Sequence, residues 1–243
     1  MATDLKLSDY RLLCFDVYGT LVDWETGLLN ALKPLLAAND AAGKFSKEHL
    51  LTVYHELEAA QQAETPSLPY SELLARVYPK LAVRLDLVNP TAAESAEFGR
   101  SVGAWPAFPD TVDALRRLQR HYKLVVLSNV DRDSFAATNA GPLAGTPFDL
   151  VITAQDVGAY KPDLAGFAHM LQKAEAELGV PRDQVIQTAQ SQFHDHHPAK
   201  KVGLKSSWIV RPGAVMGNRG EELYDWKFDT LGAMADALES EQQ

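Results

Sequence analysis

Two kinds of hydrophobic pattern alternate along this chain. Short unbroken apolar runs end in polar or turn-forming residues, and longer stretches between them repeat apolar positions every three or four residues. The first kind predicts strands buried on both faces, as in a parallel sheet; the second predicts amphipathic helices. Leu12-Leu13-Cys14-Phe15 is the first run, closed by Asp16 and the turn-forming Tyr18-Gly19-Thr20. Runs over 123–129, 148–153, 184–190 and 206–210 predict four more strands. Helical spacing predicts helices over 25–38, with Pro34 as a kink or break, and from Ser46, where His49, Leu50, Val53, Tyr54 and Leu57 make one face. Further helices are predicted over 70–85, 92–103, 111–122, 133–143 in its first part, 162–178, 199–202 and 229–239, and the glycine-rich 213–220 reads as a loop.

The order of these elements sets the architecture. Residues 24–104 hold several helices and no convincing strand, whereas strands and helices alternate from 105 onward. An α/β core from 1–23 and 105–243, with a parallel sheet, and an inserted helical cap from 24–104 is the economical arrangement. A cap over the strand ends can exclude water from a buried reaction.

Bulk properties narrow the function. A net charge of −9 over 243 residues argues against a general nucleic-acid binder, and no apolar run reaches membrane-spanning length. Residues 1–9 lack the apolar stretch of a signal peptide. Cys14 is the single cysteine, so no intrachain disulfide can form and its thiol is expected to pack inside the first strand. The expectation is a cytoplasmic protein that acts on a small molecule.

Candidate chemistry lies where the runs end. A parallel sheet gathers the carboxyl ends of its strands along one edge, so polar groups far apart in sequence converge. Four such groups follow in order: Asp16 with Thr20, Ser128 with Asn129, Lys161, and Asp195. Asp16 can attack an electrophilic carbon. Thr20, Ser128 and Asn129 can orient a carboxylate or hold an oxyanion. Lys161 can keep Asp16 ionised, and Asp195 can restrain Lys161 or position a hydrolytic water. Taken singly, each has a plain alternative: a strand-to-loop cap for Ser128-Asn129, a solvated lysine before Pro162, a helix cap for Asp195. Their ordered occurrence is harder to assign to chance.

That ordered set resembles the haloacid dehalogenase-like hydrolase superfamily over nearly the whole chain. Phe15-Asp16-Val17-Tyr18-Gly19-Thr20-Leu21, Leu127-Ser128-Asn129, Tyr160-Lys161-Pro162-Asp163 and residues 189–199 are similar to its four motifs. The resemblance implies a Rossmann-like sheet with a helical cap. Most members are magnesium-dependent phosphatases, which carry a second aspartate where Tyr18 stands and Gly-Asp where Ala189-Gln190 stands. A phenol titrating near 10 is a poor acid–base group at neutral pH, and a neutral amide takes a charge from a magnesium site. Asp-Val-Tyr-Gly-Thr instead resembles the metal-independent type II 2-haloacid dehalogenases. By that resemblance Asp16 is the nucleophile, Lys161 its electrostatic partner and Asp195 a helper of hydrolysis. Tyr18, Thr20, Ser128, Asn129 and Gln190 join the substrate-binding shell around a small carboxylic acid, without a cofactor, and the protein forms a homodimer.

The chain also departs from those enzymes. They hold an arginine in the first cap helices, but no arginine lies between Arg11 and Arg76, and the aligned stretch reads Thr52-Val53-Tyr54-His55. Phe167 replaces a tyrosine, and Gln190-Ser191-Gln192 replaces Ser-Ser-Asn. Tyr54 and His55 therefore become candidate cap contacts to substrate. In His194-Asp195-His196-His197 the consecutive side chains cannot all face one ion, so a metal site is set aside. His194 is expected to flank the site, and His196 and His197 to face solvent or the cap. A magnesium-dependent phosphatase and a catalytically silent binding homologue are the competing readings.

Overall fold

The computed structural model describes residues 5–218 and 221–242, so Arg219 and Gly220 of the predicted loop lie outside the described residues. In chain order the elements are β1 (Leu12–Phe15), α1 (Trp24–Ala38), α2 (Lys47–Glu64), α3 (Tyr70–Arg84), α4 (Ala92–Arg100), α5 (Thr111–Leu118), β2 (Lys123–Ser128), α6 (Arg132–Ala140), β3 (Leu150–Thr153), α7 (Ala154–Val157) and α8 (Leu164–Leu178). β4 (Val185–Ala189), a π-helical turn (Gln192–His196), α9 (His197–Lys201), β5 (Lys205–Ile209), β6 (Trp226–Phe228) and α10 (Leu231–Glu241) complete it.

All six strands pair in parallel, in the order β3-β2-β1-β4-β5-β6. β1 therefore sits centrally, with β2 on one side and β4 on the other, at the point where the winding of the sheet reverses. The carboxyl ends of strands at such a point form a crevice, and Asp16 follows β1 directly into it. Successive β1 side chains feed opposite layers: Leu13 and Phe15 join the larger apolar cluster, Leu12 and Cys14 the cluster beneath α8. All four are buried, which explains the unbroken apolar run.

The helical insertion leaves and rejoins the sheet at one place. The Asp23 amide donates to the Pro106 carbonyl at 2.8 Å and the Phe108 amide to the Leu21 carbonyl at 3.1 Å, beside an antiparallel bridge between Val22 and Ala107. One continuous cluster runs from Phe15 and Leu21 through Leu28, Leu51 and Leu74, so the helices pack onto the strand-end side of the sheet as part of its core. Ser46 caps α2 by accepting from the His49 amide, as its sequence position predicts.

Three expectations need correction. Pro34 neither breaks nor ends α1: it sits on an exposed face, as does Asn30, whose carbonyl would otherwise accept its missing N–H, so water can serve that group. β6 has no counterpart among the predicted strands, being a three-residue edge strand with a lysine at its centre. The helix predicted over 199–202 begins earlier, at His197, and follows directly on a π-helical turn at Gln192–His196. Among the described residues no helix is long and apolar enough to cross a membrane.

Candidate active site

The crevice is a cavity of about 630 Å³ whose floor includes Asp16, Ser128, Asn129, Lys161, Gln190 and Asp195. Their bonding is specific. Lys161 Nζ donates to Asp16 Oδ1 at 2.9 Å, Asp195 Oδ1 at 2.7 Å and the Leu127 carbonyl at 3.0 Å, which uses all three of its donors. Thr20 Oγ1 donates to Asp16 Oδ2 at 2.7 Å and accepts from the Gln190 amide at 2.9 Å. Asp16 is thus gripped at both oxygens by groups fixed to different elements. It still lines the cavity, its side chain 11% exposed.

Electrostatics follow from this geometry. Burial works against a charged Lys161, but the two carboxylates in contact with it outweigh burial and hold its pKa above the ordinary lysine value. Burial pushes Asp195 up from the usual carboxylate range; Lys161 pulls it back and Asp16 adds a further upward push. Asp195 Oδ1 also accepts from Gln187 Nε2 at 2.9 Å, whereas its Oδ2 is buried with no hydrogen-bond partner among the described residues. Ser128 Oγ is likewise buried without a partner and lines the cavity. Orphaned acceptors and donors of this kind are costly in a core and are expected where a ligand or water completes them.

The structure brings together most of the sequence-derived set, though by different routes. Lys161 does not follow a strand: β3 ends at Thr153, and Lys161 arrives on the loop between α7 and α8. Asn129 pins that loop, accepting from the Lys161 amide at 2.7 Å and donating to its carbonyl at 3.0 Å. Thr20 is fully buried and absent from the cavity wall, so it holds Asp16 and does not reach the cavity. Tyr18 lines the wall with its hydroxyl 2.8 Å from Thr138 Oγ1, and burial raises its pKa, keeping the phenol neutral. Gln190 Nε2 donates to the Met216 carbonyl and Asn218 Oδ1, tying the floor to the loop above it. Gly217 makes that approach possible: at φ +88° a Cβ there would lie 2.0 Å from Gln190 Oε1.

The four consecutive residues of the histidine run separate. His194 lines the cavity with Nδ1 3.1 Å from Ser191 Oγ, and Asp195 meets Lys161. His196 Nε2 lies 2.9 Å from the Ala189 carbonyl, and His197 Nε2 3.0 Å from the Glu221 carbonyl. His196 is fully buried, contrary to the expectation that it faces solvent or cap: the π-helical turn rotates it into the core. Burial lowers the pKa of both His194 and His196 to about 4, with Lys161 adding to the effect at His194.

Opposite the floor stands a roof that the sequence reading only partly identified. His55 is there, but Tyr54 is not: it is fully buried, its hydroxyl 3.0 Å from that of Tyr70, and it packs in the core against Trp24. The residues that sequence reasoning missed are Glu58, Gln62 and the aromatic walls Trp24, Tyr70, Trp105 and Tyr160. His55, Glu58, Ala59, Gln62 and Ala63 follow helical spacing, a second stripe on α2 beside its apolar one.

Comparison with known proteins shows relatives of this chain and of its fold. The (S)-2-haloacid dehalogenase of Pseudomonas sp. (strain YL) is 31% identical over 136 residues, which span 55% of this chain and 55% of that enzyme. The crystal structure of the defluorinating L-2-haloacid dehalogenase Rha0230 superposes with a TM-score of 0.77 at 20% identity, over 95% of both chains. The L-2-haloacid dehalogenase from Xanthobacter autotrophicus with chloropropionic acid covalently bound gives 0.76 at 19% identity, over 95% of this chain and 98% of that one. At these identities the two structural likenesses are of fold. Residues 10–186 match the family described as haloacid dehalogenase-like hydrolase. That match takes in the strand that delivers Asp16, the turn that carries Ser128 and Asn129, and the loop that brings Lys161 between two carboxylates: the chain belongs to the haloacid dehalogenase-like hydrolase family.

Proposed function

We propose that this protein hydrolyses the bond between carbon and halide, or a similar leaving group, next to the carboxylate of a small 2-substituted acid. The observation that carries this reading is the Asp16 carboxylate, facing the cavity, with one oxygen on the Lys161 ammonium and the other on the Thr20 hydroxyl. An Asp16 oxygen attacks C2 of the substrate, and the halide leaves with the electron pair of the broken bond. The product of this step is an ester of Asp16. Ser128 Oγ and the Asn129 region meet the substrate carboxylate. Asp195 takes a proton from water, which adds to Cγ of the ester. The resulting oxyanion collapses, the bond from Cγ to the ester oxygen breaks, and the departing C2 oxygen receives the proton from Asp195 to give a 2-hydroxy acid. The raised Asp195 pKa makes it a stronger base than an ordinary carboxylate. Residues 24–104 act as a cap domain over the core formed by 1–23 and 105–243, closing the reaction from bulk water.

The donor set does not fit a magnesium ion. The space between Asp16 and Asp195 is bridged by an ammonium, the second Asp16 oxygen accepts from Thr20, and Gln190 turns its amide nitrogen to the Met216 loop. Tyr18 cannot replace a second aspartate while its hydroxyl is buried beside Thr138. We therefore assign the reaction no metal and no cofactor; a homodimer in the cytoplasm is what the family resemblance implies for the assembly. The test is incubation with 2-chloropropanoate at neutral pH. Equal amounts of chloride and 2-hydroxypropanoate, unaffected by a chelator, are expected. Absence of chloride, with magnesium-dependent cleavage of an aryl phosphate, would contradict the reading.

A further inference from the structure

Glu58 is the feature of the cavity that the proposed reaction leaves unused. It lies on the α2 roof, its side chain 14% exposed, among the residues lining the same cavity as Asp16. Oε1 accepts from the Tyr70 hydroxyl at 2.6 Å and from Gln62 Nε2 at 3.3 Å, and Oε2 lies 3.6 Å from His55 Nδ1. Those contacts orient the carboxylate. Among the described residues lining the cavity, Lys161 is the one lysine or arginine, and its three donors are spent on the floor. His194 lies between roof and floor, within electrostatic reach of Glu58, Asp16 and Lys161, and carries no charge at neutral pH. Among the described residues lining the upper cavity, Glu58 thus faces no lysine or arginine, and the basic group beside it is the partly exposed His55.

Size points the same way. A volume of about 630 Å³ lies in the range that holds drug-sized ligands, far more than a three-carbon acid occupies. A substrate with its C2 at Asp16 has room for a side chain that reaches α2. Resting on the reading above, we propose that Glu58 selects 2-substituted acids whose far end carries an ammonium or another strong hydrogen-bond donor, and rejects those with a second carboxylate. A charge-assisted bond to Glu58 rewards the first class, and like-charge repulsion with desolvation penalises the second.

The test compares 6-amino-2-chlorohexanoate, 2-chlorohexanoate and 2-chlorohexanedioate by kcat/KM, in the wild type and in Glu58→Gln. Glutamine keeps an acceptor for the Tyr70 hydroxyl, so the roof retains its hydrogen bond. In the wild type the amino acid is expected to exceed the alkyl acid by about 10-fold or more, and the diacid to fall below it by a similar factor. In Glu58→Gln both ratios should shrink to within about 2-fold. Equal rates across the wild-type series, or ratios that survive the substitution, would overturn the proposal while leaving dehalogenation in place. Calorimetric binding of the unreactive 6-aminohexanoate, hexanoate and hexanedioate gives a separate readout. If none of the chloro acids is turned over but the same Glu58-dependent order of binding holds, the selectivity stands and the dehalogenase reading falls; binding without that order overturns the selectivity.

Discussion

The floor and the roof of the cavity are built on opposite principles. On the floor, Lys161 and Asp195 are 3% and 0% exposed, and one ammonium joins two carboxylates and a carbonyl within 3.0 Å. On the roof, His55 is 42% exposed and meets Glu58 at 3.6 Å, on one face of a single helix. Floor groups come from four separate segments of the core, so each restrains the others. The roof can change residue by residue without disturbing the sheet. The proposed reaction falls on one side of this contrast and the proposed choice of substrate on the other.

Substitutions can break or sharpen that separation. The largest effect is expected from Asp16→Asn, which removes the attacking oxygen: steady-state turnover should fall by on the order of 10⁴-fold or more, with an unchanged circular dichroism spectrum. Lys161→Met should come next, because it leaves Asp16 and Asp195 buried together without a counter-charge. Loss of activity with about 3–5 kcal/mol of destabilisation is expected in urea unfolding. Asp195→Asn should slow hydrolysis by about 10²–10⁴-fold while sparing displacement. Mass spectrometry should then find the acid esterified to Asp16. Thr20→Val deprives both Asp16 and the Gln190 amide of a partner, a cost of about 1–3 kcal/mol per orphaned group, again read from unfolding.

A different kind of test comes from pH. Lys161 has a folded pKa above its unfolded value, so its stabilisation is complete below about 10.4, the ordinary lysine value, and is lost as pH rises toward the folded one. His194 and His196 shift the other way, to about 4. Between about 6.5 and 4 the unfolded chain binds protons that the folded one refuses, so stability should fall on acidification through that window. Unfolding midpoints measured across pH test both slopes.

The floor was largely legible in the sequence and the roof was not, and the reason is physical. An apolar run ending in Asp16 has few interpretations, and a parallel sheet gathers such ends whatever lies between them. Lys161 was expected beside Asp16 and meets it, but on another support than a strand end, because its loop is held by Asn129, a long-range contact that no local pattern encodes. His196 looked like its polar neighbours until the π-helical turn carried it inward. On α2, the Glu58 stripe has the composition of a solvated face, and Tyr54, which shares the spacing of the apolar face, became a candidate contact only by its alignment with an absent arginine. Only packing distinguishes the side that meets the cavity from the side that meets core. β6 escaped notice because three residues at a sheet edge carry too little periodicity to register.

One measurement bears most directly on the central claim that Asp16 bonds to carbon. Excess enzyme is mixed with a 2-chloro acid in oxygen-18 water for a single turnover, and both the product and the peptide containing Asp16 are analysed by mass spectrometry. An ester intermediate predicts an unlabelled 2-hydroxy acid and one heavy oxygen in the Asp16 carboxylate. A labelled product with an unlabelled Asp16 would mean that water attacks the substrate itself, and would contradict the account.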